Sequence, residues 1–262
     1  MVGRERGRTL TSAAVLPQRR TRRIPIIALA TVTSIGVIIV TIAVALTLGP
    51  ANVSLVNVRD VITNHLGVTD IPVRVAADAI VWQERLPRAL VAAACGAGLG
   101  LCGVILQSLL RNPLADPFVL GVSSGASTGA VLFGVFGLGG GVLTLSGGAF
   151  AGALVAFALV LVIARFTGGG TASFVLAGIA ATQFFSALTS LAVFAFADSD
   201  ETRGVMFWLL GSLEGVRWDD VVLCAAVVLL GAIVAFASVR PLDAFAFGDD
   251  VAASLGIHVA RT

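Results

Sequence analysis

An all-α, polytopic transmembrane helix bundle is the fold class this sequence predicts, and three observations carry the prediction. Hydrophobic residues make up 57% of the 262-residue chain against 12% charged, and the mean hydropathy is +1.00, which excludes an ordinary soluble domain. Apolar runs long enough to cross ~30 Å of hydrocarbon recur along the chain, each ended by Arg, Pro, Gly or Asp. The 17 basic residues are all arginine, concentrated on alternate connections, as expected of a chain that threads back and forth across a bilayer. Six spans of roughly 20 residues leave no room for a large soluble domain.

Residues 1–23 carry Arg4, Arg6, Arg8, Arg19, Arg20, Arg22 and Arg23 with few apolar residues and read as a disordered cytoplasmic tail. The arginine pairs and Ala43-Val44-Ala45 superficially suggest an export signal, but the apolar run from Ile24 to Leu48 exceeds the 7 to 15 residues of a signal core. That run is expected as span one, within a permease region covering 24–243. Residues 49–84 form a long polar connection, expected as short surface helices. Span two is expected from about Arg88 to Arg111, with Arg111-Asn112-Pro113 and Pro117 making a tight turn. Span three follows from Phe118 to Phe136, span four from Leu145 to Ile163, span five from Phe174 to Phe196, then an outer loop carrying Asp198, Asp200, Glu201 and Arg203, and span six from Val221 to Val239. Met206 to Leu213 is too short to cross and is expected at the interface, with Trp208 and Trp218 at headgroup depth. Gly96, Gly100 and Gly103 in span two, and Gly121, Gly125 and Gly129 in span three, supply small-residue spacings that let neighbouring helices approach closely.

Charge fixes the expected orientation. With the N-terminus inside, the tail and Arg111, Arg165, Arg240 and Arg261 fall on the inner side, and Arg59, Arg74, Arg85, Arg88, Arg203 and Arg217 fall outside. The larger arginine share is then cytoplasmic. Residues 244–262 differ in kind: Gly248 and two acids suit a helix start and Gly256 suits its end. They read as a cytoplasmic helix-Gly-helix element.

The chemistry-bearing residues are few. Absence of lysine excludes a P-loop ATPase and a Schiff-base enzyme. Cys95, Cys102 and Cys224 lie in apolar runs and read as small core residues. Leu145-Ser146-Gly147-Gly148 imitates the start of an ABC ATPase signature but opens a span, so it reads as packing. His65 has no His, Cys or paired carboxylate near it in sequence, His258 reads as a surface contact, and no nucleophile–base arrangement assembles. No cofactor, metal ligand set or nucleic-acid partner is expected, and the chain is not expected to be an enzyme.

Two groups have both a bland and a functional reading. Arg85 and Arg88 flank Leu86-Pro87 at the outer end of span two, where they anchor at the interface or face an anionic partner outside the membrane. On span five, Thr182, Ser186 and Thr189 fall on one side at 100° per residue while Gln183 and Ser190 stack near each other. Interhelical hydrogen bonding and a wet pathway are both open readings of that face.

RLPR at 85–88, the Gly-rich span carrying Gln107, RNPLADP, LGVSSGAS, LAGIA at 176–180, FWLLGSLEGVRW at 207–218 and FGDDVAASLG stand in an order that resembles the FecCD-type permease subunits of ABC importers for iron siderophores, haem and cobalamin. The resemblance implies a homodimer or paired-permease bundle with a translocation path between subunits. An external substrate-binding protein would feed it and a separate cytoplasmic ABC ATPase would drive it. It implies docking of the binding protein at Arg85 and Arg88 and a path lined by Thr182, Gln183, Ser186, Thr189 and Ser190. It also implies ATPase coupling through Asp249, Asp250, Ala253, Ser254, Leu255, Gly256 and Ile257. Such permeases have ten spans and this chain carries about six, so it reads as a C-terminally truncated or split form. The expected function is passage of a metal chelate, foremost a ferric siderophore, across the cell membrane. The alternative, half of a secondary transporter, would need ionisable residues inside the spans, which hold essentially none.

Overall fold

The computed structural model describes residues 23–137, 142–246, 248 and 254. All of the regular structure among these residues is helical. The helices are α1 (Arg23–Thr47), α2 (Leu55–His65), α3 (Val75–Asp78), a π-helical stretch Ala79–Arg85, α4 (Leu86–Leu110), a 3-10 turn Pro117–Leu120, α5 (Val122–Val135), α6 (Val142–Phe166), α7 (Thr171–Phe196), α8 (Ser199–Leu209), α9 (Trp218–Ala237) and α10 (Val239–Ala246). Among the described residues, five helices are long and apolar enough to cross a membrane. The end of the bundle carrying α2, α3 and α8 is called here the cap end, and the end carrying the 111–117 turn the turn end.

Three elements differ from the sequence expectation. Span two begins at Val75 rather than near Arg88, because Val75–Leu110 runs as one helix of 36 residues. The π-helical stretch inside it has a local cause. Pro87 has no N–H and would press its ring on the carbonyl one turn back, and widening the preceding turn relieves that clash. Span three is shorter than expected: α5 has 14 residues, about 21 Å at 1.5 Å per residue, and is separated from the 3-10 turn by Gly121 at φ 69°. Its flanks are protein. Gly125 and Thr128 to Val131 are buried, so the helix ends need not reach the bilayer surfaces. Finally, the acids Asp198, Asp200 and Glu201 are the start of a helix, not a loop. Asp198 accepts from the Asp200 and Glu201 amides at 2.9 and 2.8 Å, and Glu201 accepts in return from the Asp198 amide at 3.0 Å, a reciprocal cap that starts α8.

Packing divides the bundle in two. On one side α5 lies against α6 and α7, and α8 closes over the cap end of α5. Leu120, Ala156, Val160, Ala164, Ala177, Ala181 and Phe185 form its core near the turn end, and Val131, Ala192, Val193 and Val205 its core near the cap end. On the other side α4 packs on α9, with α10 folded back against α4. There the buried side chains gather at the cap end, where Leu46, Val53, Val58, Val61, Val81 and Leu86 join α1, α2 and the π-helical stretch.

Glycine chemistry separates the two sides. A methyl group placed on Gly129 would overlap the Gly148 carbonyl oxygen, and one on Gly152 would overlap the Gly125 carbonyl oxygen. The α5 and α6 backbones therefore touch through glycine faces. Gly148, the last residue of the ATPase-like tetrapeptide, belongs to this contact, in agreement with the packing reading. Gly96, Gly100 and Gly103 do not behave as expected: a methyl group on any of them meets nothing within 4 Å. Among the glycines of α4, only Gly98 faces a neighbour among the described residues, with a methyl group there 3.3 Å from Val228 of α9. Cys95 and Cys102 are exposed rather than core.

Candidate functional site

Three places bring the chemistry-bearing residues together. At the cap end, Arg85 and Arg88 project from the π-helical stretch and the first turn of α4. Arg85 is half-buried and donates from Nη1 to the Leu46 carbonyl at 2.8 Å and from Nη2 to the Ala51 carbonyl at 2.7 Å. Arg88 is exposed and donates from Nε to the Leu213 carbonyl at 3.1 Å. Beside them a cavity of about 780 Å³ opens between the π-helical stretch and residues 214–219, which lead into α9, with Glu84, Arg88, Glu214 and Arg217 on its walls.

The same end holds an aromatic group that the sequence did not reveal. The His65 ring stacks on Trp82 at 4.0 Å and 5° between planes, and His65 Nε2 lies 2.9 Å from Asp78 Oδ1. Trp218 reaches across to donate from Nε1 to the Trp82 carbonyl at 3.0 Å. His65 thus has a carboxylate partner, contrary to the expectation of an isolated histidine. The missing signal is three-dimensional: 13 residues separate His65 from Asp78, and only the fold-back of α2 onto α3 brings them together.

The second place is α7, where the structure cuts the predicted polar face in two. Thr182 and Thr189 are half-buried, whereas Gln183, Ser186 and Ser190 are exposed. Thr189 Oγ1 lies 2.7 Å from Thr128 Oγ1 of α5, and Thr128 Oγ1 lies 2.8 Å from the Phe185 carbonyl oxygen. Thr182 donates to the Gly178 carbonyl at 2.8 Å, and Ser190 to the Ser186 carbonyl at 3.0 Å. Thr128 is a buried polar residue with 2% exposure that the sequence reading passed over. Its signal was there, because it is the last hydroxyl of a Ser-Ser-Gly-Ala-Ser-Thr run. Ser123 and Ser127 of that run line a cavity of about 620 Å³ with Ser146, Trp208, Glu214 and Asp220.

The third place is the turn end. Arg111 ends α4 in the left-handed region at φ 50°, the single non-glycine with positive φ among the described residues. The Asn112 side chain accepts from the Leu114 amide at 2.9 Å and the Asp116 side chain from the Phe118 amide at 2.8 Å. These two side-chain caps hold the Pro-broken turn in shape. Arg111 also reaches Gly248, where a methyl group would stand 3.3 Å from Nη1. Gly248 is buried at φ 111° and immediately precedes the predicted coupling residues. Of those, Asp249, Asp250, Ala253, Leu255, Gly256 and Ile257 lie outside the described residues, and Ser254 is described as helical.

Residues 37–262 match the FecCD transport family. The chain belongs to that family. It is 40% identical over 191 residues to a cobalamin import system permease protein of Halobacterium salinarum, covering 71% of this chain and 50% of the relative. It is 39% identical over 182 residues to a vitamin B12 import system permease protein of Salmonella paratyphi A, covering 68% and 54%. Among solved structures it resembles one assigned to a metal-chelate type ABC transporter in an inward-facing conformation. The TM-score is 0.70 at 27% identity, over 85% of this chain and 66% of that one. The chain therefore spans about half the length of the curated relatives it matches. The all-helical membrane bundle and the FecCD assignment expected from the sequence both stand.

Proposed function

We propose that this FecCD-family chain is a permease component of an ATP-driven importer for a metal chelate, with a corrinoid as the first candidate cargo. The observation that carries the path assignment is the exposed polar arc of α7. Gln183, Ser186 and Ser190 sit at the surface of the chain on a mostly apolar helix of 26 residues. An amide turned toward lipid is unfavourable without a partner, so this arc suits a wet space or another subunit. Thr182 and Thr189 stand behind it and tie α7 to its own turns and to α5. A chelate brings its own metal ligands, so the wall of its path needs only polar contacts of this kind.

The partners follow from the same reading. An external binding protein docks at the cap end, a cytoplasmic ABC ATPase engages residues 249–257, and a second permease subunit completes the path. The N-terminus is then cytoplasmic, as the arginine distribution favours. The permeases of H. salinarum and S. paratyphi A are named for cobalamin and vitamin B12, which favours a corrinoid over the ferric siderophore.

The test of the path uses Gln183→Cys, Ser186→Cys and Ser190→Cys in a background without native cysteines, reconstituted in nanodiscs with the ATPase. A charged, water-soluble thiol reagent is expected to modify all three faster than Leu191→Cys on the opposite arc. Equal rates would assign the arc to lipid and remove the path. Uptake of labelled cobalamin against a ferric siderophore, in cells supplying the ATPase and binding protein, separates the cargoes: siderophore uptake alone would replace the corrinoid assignment.

A further inference from the structure

α4 and α9 meet through successive turns, and the first of these contacts is a pair of thiols. A methyl group on Gly98 would stand 3.3 Å from Val228, and one on Gly231 would stand 3.7 Å from Leu101. One turn nearer the cap end, Cys95 and Cys224 lie side by side with their thiols within hydrogen-bonding reach. The partners advance by three or four residues on both helices, which is the register of two helices running parallel and facing each other. Glycine on one side of each following contact brings the backbones close enough for two short side chains to meet.

The pair is shallow and open. Asp220, in the first turn of α9, accepts from the Arg217 amide at 2.8 Å and lies one turn before Cys224. A charged side chain belongs at the water-facing end of a span, so the Cys224 thiol sits only about 6 Å deeper. Cys95 is exposed and Cys224 half-buried. The helices they join have few buried side chains: Leu86, Pro87 and Val91 in α4, and Ala235 in α9. This side of the bundle has no backbone contact like that of α5 with α6, so a covalent tie here would add what packing does not.

Two sulfurs can hold a soft metal ion or join to each other. The ion would require ionised thiols at the edge of the hydrocarbon, and among the described residues no cluster of three or more His, Cys, Asp or Glu can supply a metal site. A disulfide is neutral and needs only the two sulfurs. We propose that Cys95 and Cys224 are a redox-convertible pair whose oxidation by a peroxide links α4 to α9. The exposed Cys95 sulfur attacks hydrogen peroxide: an S–O bond forms, the O–O bond breaks, and the first water leaves with the thiol proton. Cys224 then attacks the Cys95 sulfenic acid. The S–S bond forms, the S–O bond breaks, and a second water leaves with the Cys224 proton. Two thiols and one peroxide thus give one disulfide and two waters, with sulfur oxidised and oxygen reduced. The proposed orientation, with the cap end outside, places the pair near the face where disulfides persist.

The full chain in nanodiscs, with its three native cysteines, tests the pairing without any substitution. After a pulse of hydrogen peroxide and alkylation of the remaining thiols, peptide mass spectrometry is expected to show the Cys95–Cys224 disulfide as the main linked species. Cys102, two turns further along α4, is expected to be recovered alkylated, and dithiothreitol should reverse the link. Moving the thiol by one residue, with Cys95→Ser and Gly96→Cys together, turns it by about 100° toward the open side of α4. Linkage to Cys224 is then expected to slow by about tenfold or more, because the sulfurs no longer start in contact. The oxidised chain should unfold at higher denaturant than the reduced one, and Cys224→Ser should remove that difference. Linkage of Cys224 to Cys102, disulfides only between separate chains, or an equal rate for the displaced thiol would each overturn the proposal.

Discussion

Two glycine-rich helices flank the Arg111 turn, and they use glycine in opposite ways. In α5, Gly125 and Gly129 let the backbone rest on Gly148 and Gly152 of α6, with no space for a single added carbon. In α4, Gly96, Gly100 and Gly103 have open space in front of them, although their spacing is similar. The difference shows that small-residue spacing permits close approach without causing it. Within a membrane there is no hydrophobic gain from bringing two apolar helices together, so contact depends on shape and hydrogen bonding against a particular neighbour. α6 supplies that neighbour for α5, and Thr128 and Thr189 add a polar tie between α5 and α7. α4 meets α9 through Gly98 alone among its glycines, leaving the other face uncovered.

This contrast can be broken experimentally, and Gly129→Leu should have the largest effect. Overlap with the Gly148 carbonyl forces α5 and α6 apart, and a loss of about 3 kcal/mol or more is expected from overpacking and the contacts that follow it. Denaturant unfolding in mixed micelles measures it. Gly152→Ala introduces one carbon on the Gly125 carbonyl and should destabilise by about 1 to 3 kcal/mol in the same assay. Thr128→Val keeps the volume while removing the hydroxyl between Phe185 and Thr189, with an expected cost of about 0.6 to 1.7 kcal/mol. Gly100→Ala should be smallest: stability unchanged, or raised by up to about 1 kcal/mol through helix propensity. If Gly100→Ala destabilises as much as Gly152→Ala, the open face of α4 is closed in the folded protein and the contrast fails.

The same comparison shows what could be read from the residues. Alternating apolar runs and arginine placement located α1, α6, α7 and α9 within a few residues, because hydrocarbon thickness imposes length and composition on any helix that faces lipid. α5 escaped that rule. Shielded by α6 and α7, it answers to its packing partners, so its 14-residue length and the Gly121 break could not be inferred from hydropathy. The start of span two was misplaced for a related reason. Val75 to Glu84 looked like a polar connection, yet Val81 is fully buried at the cap end, and the chain stays helical by widening ahead of Pro87.

The candidate site was legible unevenly. The five polar residues of α7 were visible as a group, but which hydroxyls turn inward depends on where α5 sits. Arg85 and Arg88 were visible as a pair, and their different engagement depends on the end of α1 and on Leu213, which are 39 and 125 residues away in sequence. His65 could not be joined to Asp78 and Trp82 without the fold.

By itself, the sequence determined the membrane class, the helical architecture and the residue types available for recognition, since composition and local spacing suffice for these, and the order of its motifs carried the resemblance to the family. The tertiary structure decided which glycines touch, which half of the α7 polar arc is buried, and which arginine keeps free Nη donors. Those outcomes turn on contacts between segments distant in the chain, where a shift of one carbon or one hydrogen bond changes the result.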